Sequence, residues 1–473
     1  MTDIVVQVTL PRIYARRPEI GDDVMSSPQA SDAGRLDERS IRKIATLSLV
    51  GASVEWFDFF LYGTAAALVF PKLFFPNADP SVGVLLAFAT FGVGFVARPV
   101  GGIIWGHFGD RYGRKRAFLA ALLTMGAGSV LIGLMPSYAA IGVAAPILLT
   151  VLRFVQGLAV GGQWGGGVLL ATEYAPPGKR GYYGSFAHIG VPIGVLLGVV
   201  LFFVLNAGMS PGAFMSYGWR IPFIASIVLL LVALYAQARL EDTPAFQHLR
   251  RLAAENAERE VVSRSPIVEV MRTSWARVLL AGGAFTVVNT TFYLYITYSV
   301  DYWTRILGQP RSTVLLALAI VSVVQIPALA WFAAISDRIG RRPMYLAGAI
   351  GTAVWAFPLF WLMDTKTGWG ITLALLGGQT ALSMMYGPLA AFFSELFNAR
   401  LRYSGASLGY QLGALLGGAV SSIIAVELYR AFGSSVPISL YIILVSVIAV
   451  ACTLALTETY QHEMDDVEEA LAG

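Results

Sequence analysis

Long apolar runs separated by short polar stretches recur along most of this chain. Each run reaches the length of about 20 residues that an α-helix needs to cross the hydrocarbon core of a bilayer. Because lipid offers no hydrogen-bond partner to the backbone, such runs fold as helices. The pattern therefore predicts an all-α membrane protein with twelve transmembrane helices, at about 44–70, 81–107, 117–135, 142–171, 182–206, 219–239, 276–304, 312–335, 343–363, 369–394, 402–428 and 435–457.

The composition agrees with this pattern. The 473 residues are 56% hydrophobic and only 13% charged, whereas a soluble domain carries about 25% charged residues. The 49 glycines suit close packing between membrane helices. The single cysteine, Cys452, excludes an internal disulfide framework.

The basic residues predict the orientation in the membrane. Of the 33 lysines and arginines, 25 lie in the N-terminal tail or at the loops on one side of the predicted bundle. Cytoplasmic loops carry the excess of lysine and arginine in membrane proteins. We therefore expect both termini to be cytoplasmic, which an even number of spans allows.

Two polar motifs occur twice. GHFGDRYGRKR follows the second predicted span, and AAISDRIGRRP follows the eighth. A glutamate and an arginine with six residues between them occur at Glu173 and Arg180, and again at Glu395 and Arg402. The two copies of the loop motif are separated by nearly the same number of residues as the two copies of the Glu–Arg motif. This common separation predicts two six-helix halves in parallel orientation.

The repeat and the loop composition divide the chain into five predicted parts. These are a disordered cytoplasmic tail (1–43), a first six-helix bundle (44–239), a cytoplasmic linker (240–275), a second six-helix bundle (276–458) and a short cytoplasmic tail (459–473).

Two acids lie inside the first predicted span, in EWFDFFLYG. Glu55, Asp58 and Tyr62 share one helix face, because residues three or four apart are neighbours on a helix. A charge at the bilayer centre costs about 2.5–3.5 kcal/mol, so the acids must face the interior, pair with a cation or bind a proton. The cations within predicted spans are Arg98 and Arg153, at depths that suggest charge pairing. We expect Asp58, and next Glu55, to be the proton-coupling acids; fixed structural ion pairs are the alternative.

A polar stripe on predicted span 4 and neutral polar groups in the second half are candidates for substrate binding. Arg153 can hold a carboxylate through two parallel hydrogen bonds, or it can neutralise Asp58. Trp164 can stack on a ring or simply pack. The predicted substrate-binding residues are Tyr62, Arg153, Gln156, Gln163, Trp164, Asn289, Tyr293, Gln379 and Tyr386. For the residues of the second half, hydrogen bonds between helices are the alternative.

The duplicated D-R-x-G-R-[KR] loop resembles the signature of the major facilitator superfamily. EWFDFFLYG, ARPVGG and RFVQGLAVGGQWGG are similar to one subgroup, the bacterial metabolite:proton symporters. That subgroup includes permeases for shikimate, α-ketoglutarate, citrate, aromatic acids and proline or betaine. The resemblance implies transport by alternating access across a bacterial plasma (inner) membrane.

The resemblance also implies a cytoplasmic gate at the duplicated loops. Asp110 would engage the start of predicted span 11 near Arg402, and Asp337 the start of span 5 near Arg180. We expect modest surface ion pairs, worth about 0–1 kcal/mol each; positive charges that only hold the loops inside are the alternative. The predicted gate residues are Asp110, Arg111, Arg114, Glu173, Arg180, Asp337, Arg338, Arg341, Glu395 and Arg402.

These observations favour a proton-coupled importer of a small organic anion, shikimate-like or another carboxylate. A symporter of the zwitterions betaine or proline, a passive facilitator and a non-transporting metabolite receptor are the alternatives. The sequence has no GxxxxGK[ST] phosphate loop, and its four histidines and one cysteine have no metal-ligand spacing. We therefore expect no enzyme activity, catalytic residue, cofactor, metal or nucleic-acid partner, and a monomer in the lipid bilayer.

Overall fold

The computed structural model describes residues 38–112, 114–161, 171–172, 175–176, 178–241, 266–397 and 401–460. The main helices are α1 Glu38–Leu68, α2 Pro80–Tyr112, α3 Arg114–Leu134, α4 Ala144–Gly161, α5 Arg180–Gly208, α6 Arg220–Glu241, α7 Trp275–Ile306, α8 Arg311–Ile339, α9 Arg341–Asp364, α10 Gly368–Tyr386, α11 (Arg402–Gly417 and Ala419–Phe432) and α12 Val436–Ala455. Shorter helices are Phe70–Phe74, Tyr138–Ile141, Pro211–Ala213, Pro266–Thr273 and Leu389–Glu395.

Each predicted span corresponds to one of these helices. Within the described ranges, nine helices are long and apolar enough to cross a membrane, or ten if Pro211–Gly218 and Arg220–Val232, bent by 47°, form one span. The apolar part of α3, Ala120–Leu134, is shorter, and α10 has 19 residues. The described residues include no strand. The prediction of an all-α membrane fold is confirmed.

The helix ends differ from the prediction at the duplicated loops. Helix α8 ends at Ile339 and α9 begins at Arg341, so Gly340 alone connects them, with a φ of 106° that favours glycine. Helices α2 and α3 likewise lie only one residue apart. The motif residues predicted to form loops therefore belong to helix ends.

Two other predicted boundaries are corrected. Predicted span 10 ends at Tyr386 and resumes as Leu389–Glu395, because Pro388 has no N–H to continue the helix. In the predicted linker, Pro266–Thr273 is helical, while 242–265 lies outside the described residues. The tail up to residue 37 and the residues after 460 also lie outside them.

Helix packing repeats between the two halves. In the first half α1 packs on α5, α2 on α4, and α3 on α6; in the second, α7 packs on α11, α8 on α10, and α9 on α12. The halves meet through α5 against α8 and α2 against α11, which are again equivalent pairs. The packing is that of two pseudo-symmetric six-helix bundles.

Helices α2 and α4 approach each other through glycine. A Cβ on Gly157 would collide with the carbonyl oxygen of Gly94, and a Cβ on Gly161 with that of Arg98. The backbones touch, as small residues allow in membrane bundles. This close packing beside Arg98 brings α2 and Arg153 of α4 together.

Candidate substrate site and gate

Asp58 lies at the centre of a buried hydrogen-bond network that joins α1, α3 and α4. One of its oxygens accepts a hydrogen bond from the Ser129 hydroxyl, and the other accepts from Gln156 Nε2 at 3.0 Å. Gln156 Nε2 also donates to Ser129 Oγ at 2.7 Å, and Arg153 Nη1 donates to Gln156 Oε1 at 3.4 Å. Gln156 therefore relays between the Asp58 carboxylate and the Arg153 guanidinium.

Arg98 and Arg153 lie against phenylalanine rings. The Cζ of Arg98 is 4.4 Å from the ring centroid of Phe59 and 4.3 Å from that of Phe95. The Cζ of Arg153 is 4.4 Å from the Phe59 centroid and 4.8 Å from that of Phe91. A guanidinium is attracted to the face of an aromatic ring. We call these five residues the arginine–aromatic cluster.

Both guanidiniums keep unused hydrogen-bond donors. Nε and Nη2 of Arg98 and of Arg153 are buried without a hydrogen-bond partner in the described part of the chain. More than about 90% of buried polar groups in proteins do have a partner. No ion pair joins either arginine to Glu55 or Asp58, all four of which the structure describes. Arg98, predicted to pair with a carboxylate, lies over rings instead, because α2 directs it to the Phe59 side of α1.

The other residues of the predicted stripe on α1 differ in their surroundings. The Tyr62 hydroxyl lies 2.7 Å from Thr90 Oγ1, and Thr90 in turn donates to the carbonyl oxygen of Ala87 at 2.7 Å. Tyr62 therefore donates to Thr90 and fixes α1 on α2. Glu55 is half-buried and makes no hydrogen bond or ion pair with another described residue. Of the two acids, Asp58 is the one held by the protein.

Asn289 and Tyr293 of α7 face the cluster from the second half. The ring of Tyr293 lies edge-on to Phe91 and Phe95, with centroids 5.5 and 5.2 Å apart. The Tyr293 hydroxyl and Asn289 Nδ2 are buried, and neither has a hydrogen-bond partner within the described ranges. Each residue lines a small cavity between the halves. Their geometry suits the predicted far wall of a substrate site.

The two predicted residues of α10 already have neighbours in the protein. Gln379 Oε1 accepts a hydrogen bond from Gln325 Nε2 of α8 at 2.9 Å, which is the interhelical alternative. The ring of Tyr386 stacks on His188 of α5, with centroids 4.0 Å apart and planes inclined by 23°. Tyr386 therefore lies at the contact between the halves, and it also lines a cavity with Asn289.

Part of the prediction lies outside the described residues. Gln163, Trp164 and Glu173 fall in ranges that the structure does not describe. Three residues of the first duplicated motif have a described backbone only, so their contacts stay predictions: Asp110, Arg111 and Arg114.

Asp337 makes the contact between the halves at the predicted cytoplasmic side. Its Oδ1 accepts from the backbone N–H of Gly181 at 2.8 Å, and its Oδ2 from that of Tyr182 at 3.0 Å. These N–H groups belong to the first turn of α5, where helices have unsatisfied donors and a partial positive charge. A Cβ on Gly181 would lie only 2.9 Å from Oδ1 and 2.7 Å from the carbonyl oxygen of Ala333. Glycine there lets α8 reach the main chain of α5.

Arg341 holds Asp337 and Glu395 together within the second half. Its Nη1 is 2.8 Å from Asp337 Oδ1, and its Nη2 and Nε donate to the two oxygens of Glu395 at 3.1 and 3.2 Å. The expectation of surface ion pairs is wrong here, because the side chains of Arg341 and of both acids are at most 4% exposed. Arg338 is exposed, and Arg402 donates from Nε to the carbonyl oxygen of Ser394 at 2.9 Å.

The segment after α12 also joins this gate, which the sequence analysis missed. The carboxylate of Glu458 accepts from the backbone N–H of Arg341 at 2.9 Å and of Arg342 at 3.0 Å. The Thr459 hydroxyl donates to Glu395 at 2.8 Å. Glu458 thus caps α9, and Thr459 adds a bond to the buried ion pair. A single sequence carries no signal for this contact, because an acid in a polar tail is ordinarily solvated.

A second tie, at Glu38, joins α1 to α5 at the same side. The Tyr183 hydroxyl donates to Glu38 Oε1 at 2.9 Å, and Lys179 and Arg42 lie 3.6 and 3.5 Å from the same oxygen. The hydrogen bond from Tyr183, and then the charges of Lys179 and Arg42, hold the pKa of Glu38 below its usual range. This exposed tie lies within the first half, so it braces the α5 end that Asp337 contacts.

Comparison with known proteins agrees with this fold. The family model described as "Sugar (and other) transporter" matches residues 44–471. The chain is 39% identical over 415 residues to the shikimate transporter of Escherichia coli (strain K12), which covers 85% of this chain and 91% of that protein. It is 40% identical over 406 residues to the inner membrane metabolite transport protein YhjE of the same organism, covering 83% and 89%. It is 32% identical over 450 residues to the proline/betaine transporter of that strain, covering 93% and 89%.

Among solved structures, the proton:xylose symporter XylE of the major facilitator superfamily, bound to 6-bromo-6-deoxy-D-glucose, matches with a TM-score of 0.69 over 92% of this chain and 100% of that one. The sequence identity is 17%, so this likeness shows the fold alone. The relatives are named for transport, not catalysis. The chain therefore belongs to the sugar (and other) transporter family of the major facilitator superfamily and is a multi-pass secondary transporter.

Proposed function

We propose that this transporter imports a small organic anion together with protons across the inner membrane of a bacterium, with both termini in the cytoplasm. The substrate would bind between the halves and cross by alternating access. A carboxylate of the shikimate type fits the proposal best. The observation that carries it is the pair of buried guanidiniums, Arg98 and Arg153, whose Nε and Nη2 donors have no hydrogen-bond partner among the residues that the structure describes.

A carboxylate is the group that these donors suit. Guanidinium binds carboxylate through parallel hydrogen bonds, and such charge-assisted bonds are stronger than neutral ones. On the opposite side, the unpaired Tyr293 hydroxyl and Asn289 Nδ2 can donate to further oxygens of the same substrate. The site thus offers positive charge on the first half and neutral donors on the second.

The cluster disfavours the zwitterionic alternative. A quaternary ammonium such as that of betaine is recognised by the open faces of aromatic rings. Here the guanidiniums of Arg98 and Arg153 already lie against the rings of Phe59, Phe91 and Phe95. A second cation at these rings would meet both charges. An anion meets no such repulsion.

Asp58 is the proposed proton-coupling acid. It accepts hydrogen bonds from Ser129 and Gln156, and Gln156 is also the acceptor for Arg153. Protonation of Asp58 at Oδ2 would place a donor where Gln156 Nε2 now donates, and would so alter the group that holds Arg153. Substrate binding at Arg153 and proton binding at Asp58 would therefore influence each other through one side chain, as linkage requires. Glu55, half-buried and unpaired, is the second candidate.

Uptake into proteoliposomes with an alkaline lumen tests the proposal. The labelled panel is shikimate, α-ketoglutarate, citrate, protocatechuate, betaine and proline. We expect one carboxylate to accumulate, and a protonophore to abolish the accumulation. Asp58→Asn should still exchange substrate across the membrane but no longer accumulate it, and Arg153→Gln should lose uptake. Accumulation of betaine or proline would support the zwitterion symporter. Equilibration of substrate regardless of the gradient would indicate a facilitator, and binding without uptake would indicate a receptor.

A further inference from the structure

Trp56 of α1 and Phe292 of α7 separate the two small cavities between the halves. Each cavity has a volume of about 10 Å³, room for roughly one water. One is also lined by Tyr293 and Thr297, and the other by Asn289 and Tyr386, while Trp56 and Phe292 line both. Neither cavity alone can hold an organic acid. The side chains between them are therefore the ones whose displacement would give a larger space.

The backbone around Trp56 packs directly on α5. A Cβ on Gly194 would collide with the main chain of α1 at Ser53 and Phe57, so α1 and α5 touch through their backbones there. The Trp56 indole makes no hydrogen bond within the described part of the chain, and its ring meets Phe292 nearly edge-on, with centroids 5.0 Å apart. Rotation of side-chain torsions is the local freedom that remains.

Phe292 lies beside an irregular part of α7. Two residues after it the helix widens into π-helical turns at Leu294–Tyr298, and again at Tyr302–Ile306. Such turns occur frequently at functional sites. A shift between π- and α-helical turns would rotate the preceding residues about the helix axis. Phe292 thus has a way to move that does not depend on Trp56.

We propose that Trp56 and Phe292 form a movable aromatic partition whose opening joins the two cavities into one flat slot, and that this slot selects ring-bearing monocarboxylates over linear di- and tricarboxylates. The inference rests on the proposed function, and it assigns the substrate class. Phe59 and Tyr293 line the first cavity; Phe59 belongs to the arginine–aromatic cluster, and Tyr293 packs against it. The slot therefore ends at Arg98 and Arg153.

The lining explains the selectivity. The slot walls are mainly aromatic faces and edges, which favour offset-stacked or edge-to-face contact with a planar or cyclic substrate. Its carboxylate would lie at the arginines. The cavity-lining residues of α7 and α10 include Asn289, Tyr293 and Tyr386 but no cation. A second carboxylate of a linear diacid would therefore be buried there without a positive partner, which is costly.

The test is competition for gradient-driven uptake of whichever labelled carboxylate the full-length protein accumulates. Unlabelled protocatechuate and α-ketoglutarate serve as the ring-bearing and linear competitors, in wild type, Trp56→Phe and Trp56→Ala. Trp219→Phe is the matched control, because Trp219 is fully buried against Phe70 and Phe223 and lines neither cavity. The readout is the ratio of half-inhibitory concentrations, linear over ring-bearing, with the melting temperature recorded for each variant.

We expect a ratio well above one in wild type and in Trp219→Phe. Trp56→Phe should lower the ratio by about two- to tenfold, the fold-change that corresponds to one aromatic contact, and Trp56→Ala by more. A wild-type ratio at or below one would overturn the substrate class. A high ratio unchanged in a folded Trp56→Phe would overturn the role of the partition. Uptake of none of the carboxylates would instead overturn the proposed function, and this inference with it.

Discussion

Replacing Asp337 with asparagine should open the gate without changing the size of the side chain. The Asp337 carboxylate accepts from Gly181 N–H at 2.8 Å and Tyr182 N–H at 3.0 Å. Asparagine keeps one acceptor oxygen, but its amide group would point a donor at the other N–H. A hydrogen bond to a charged group contributes about 1.5–3 kcal/mol. When the halves separate, water solvates both partners, so the loss falls on the closed arrangement alone.

That loss has a measurable size. At about 1.4 kcal/mol for each factor of ten, the ratio of open to closed protein should rise roughly 10- to 100-fold. Ala390 reports this opening, because it is 3% exposed and lies against Gly184 of α5. In a Cys452→Ala background, an Ala390→Cys variant should react with a maleimide faster by at least about tenfold when Asp337→Asn is added.

The matched control is Glu427→Gln. Glu427 pairs with Arg430 at 3.0 Å, but both side chains are exposed, and such pairs contribute only about 0–1 kcal/mol. It should leave the labelling rate of Ala390→Cys unchanged. If Asp337→Asn labels no faster than the background, or if Glu427→Gln accelerates labelling equally, the Asp337 contact does not hold the two halves closed.

Three further outcomes follow from the contacts at the predicted cytoplasmic side. Glu395→Gln should lower the melting temperature of the detergent-solubilised protein, because removing one partner of a buried ion pair costs about 3–5 kcal/mol; an unchanged value would mean that Arg341 finds another partner. Glu458→Gln should lower the melting temperature by less, because the amide oxygen can still accept from one of the two N–H groups at the start of α9. A larger decrease than that of Glu395→Gln would contradict this ranking of the two contacts. The pKa of Glu38 is lowered from its ordinary value of 4.5, so its stabilising contribution is present above that value and is lost as pH falls through the lowered pKa. Glu38→Gln should therefore leave the shape of the uptake profile between about pH 5 and 8 unchanged, and a displaced profile would show that Glu38 titrates in the cycle.

The hydrophobic pattern was sufficient to predict the helices, and the duplicated polar motifs to predict their repeat, because spanning length, buried charge and motif spacing are one-dimensional features of a sequence. Asp58, Arg153 and Gln156 could be grouped for the same reason, since charged and polar residues stand out in an apolar run. Their connections could not be predicted. Helix rotation decides that Gln156, and not a direct ion pair, lies between Asp58 and Arg153, and spacing along one chain does not give rotation.

Other residues of the site carry no signal in a single sequence. Trp56 and Phe59 are aromatic residues in an apolar span, where packing alone accounts for them. Ser129 is one small residue among glycines and alanines, although it donates to Asp58. Glu458 resembles a solvated residue of a polar tail until the fold brings α12 beside the start of α9.

The contact of Asp337 with α5 is made to the main chain. Any residue except proline can supply the N–H at position 182, so the identity of the side chain there does not specify the contact. A charge-swap experiment that exchanges Asp337 for a basic residue would therefore find no partner at Gly181 or Tyr182 to reverse. The receiving surface is fixed by the direction of a helix axis and by the glycine at position 181, so evolution can adjust the strength of this closure from the α8 side, by tilting α5 or by placing a larger residue at Gly181.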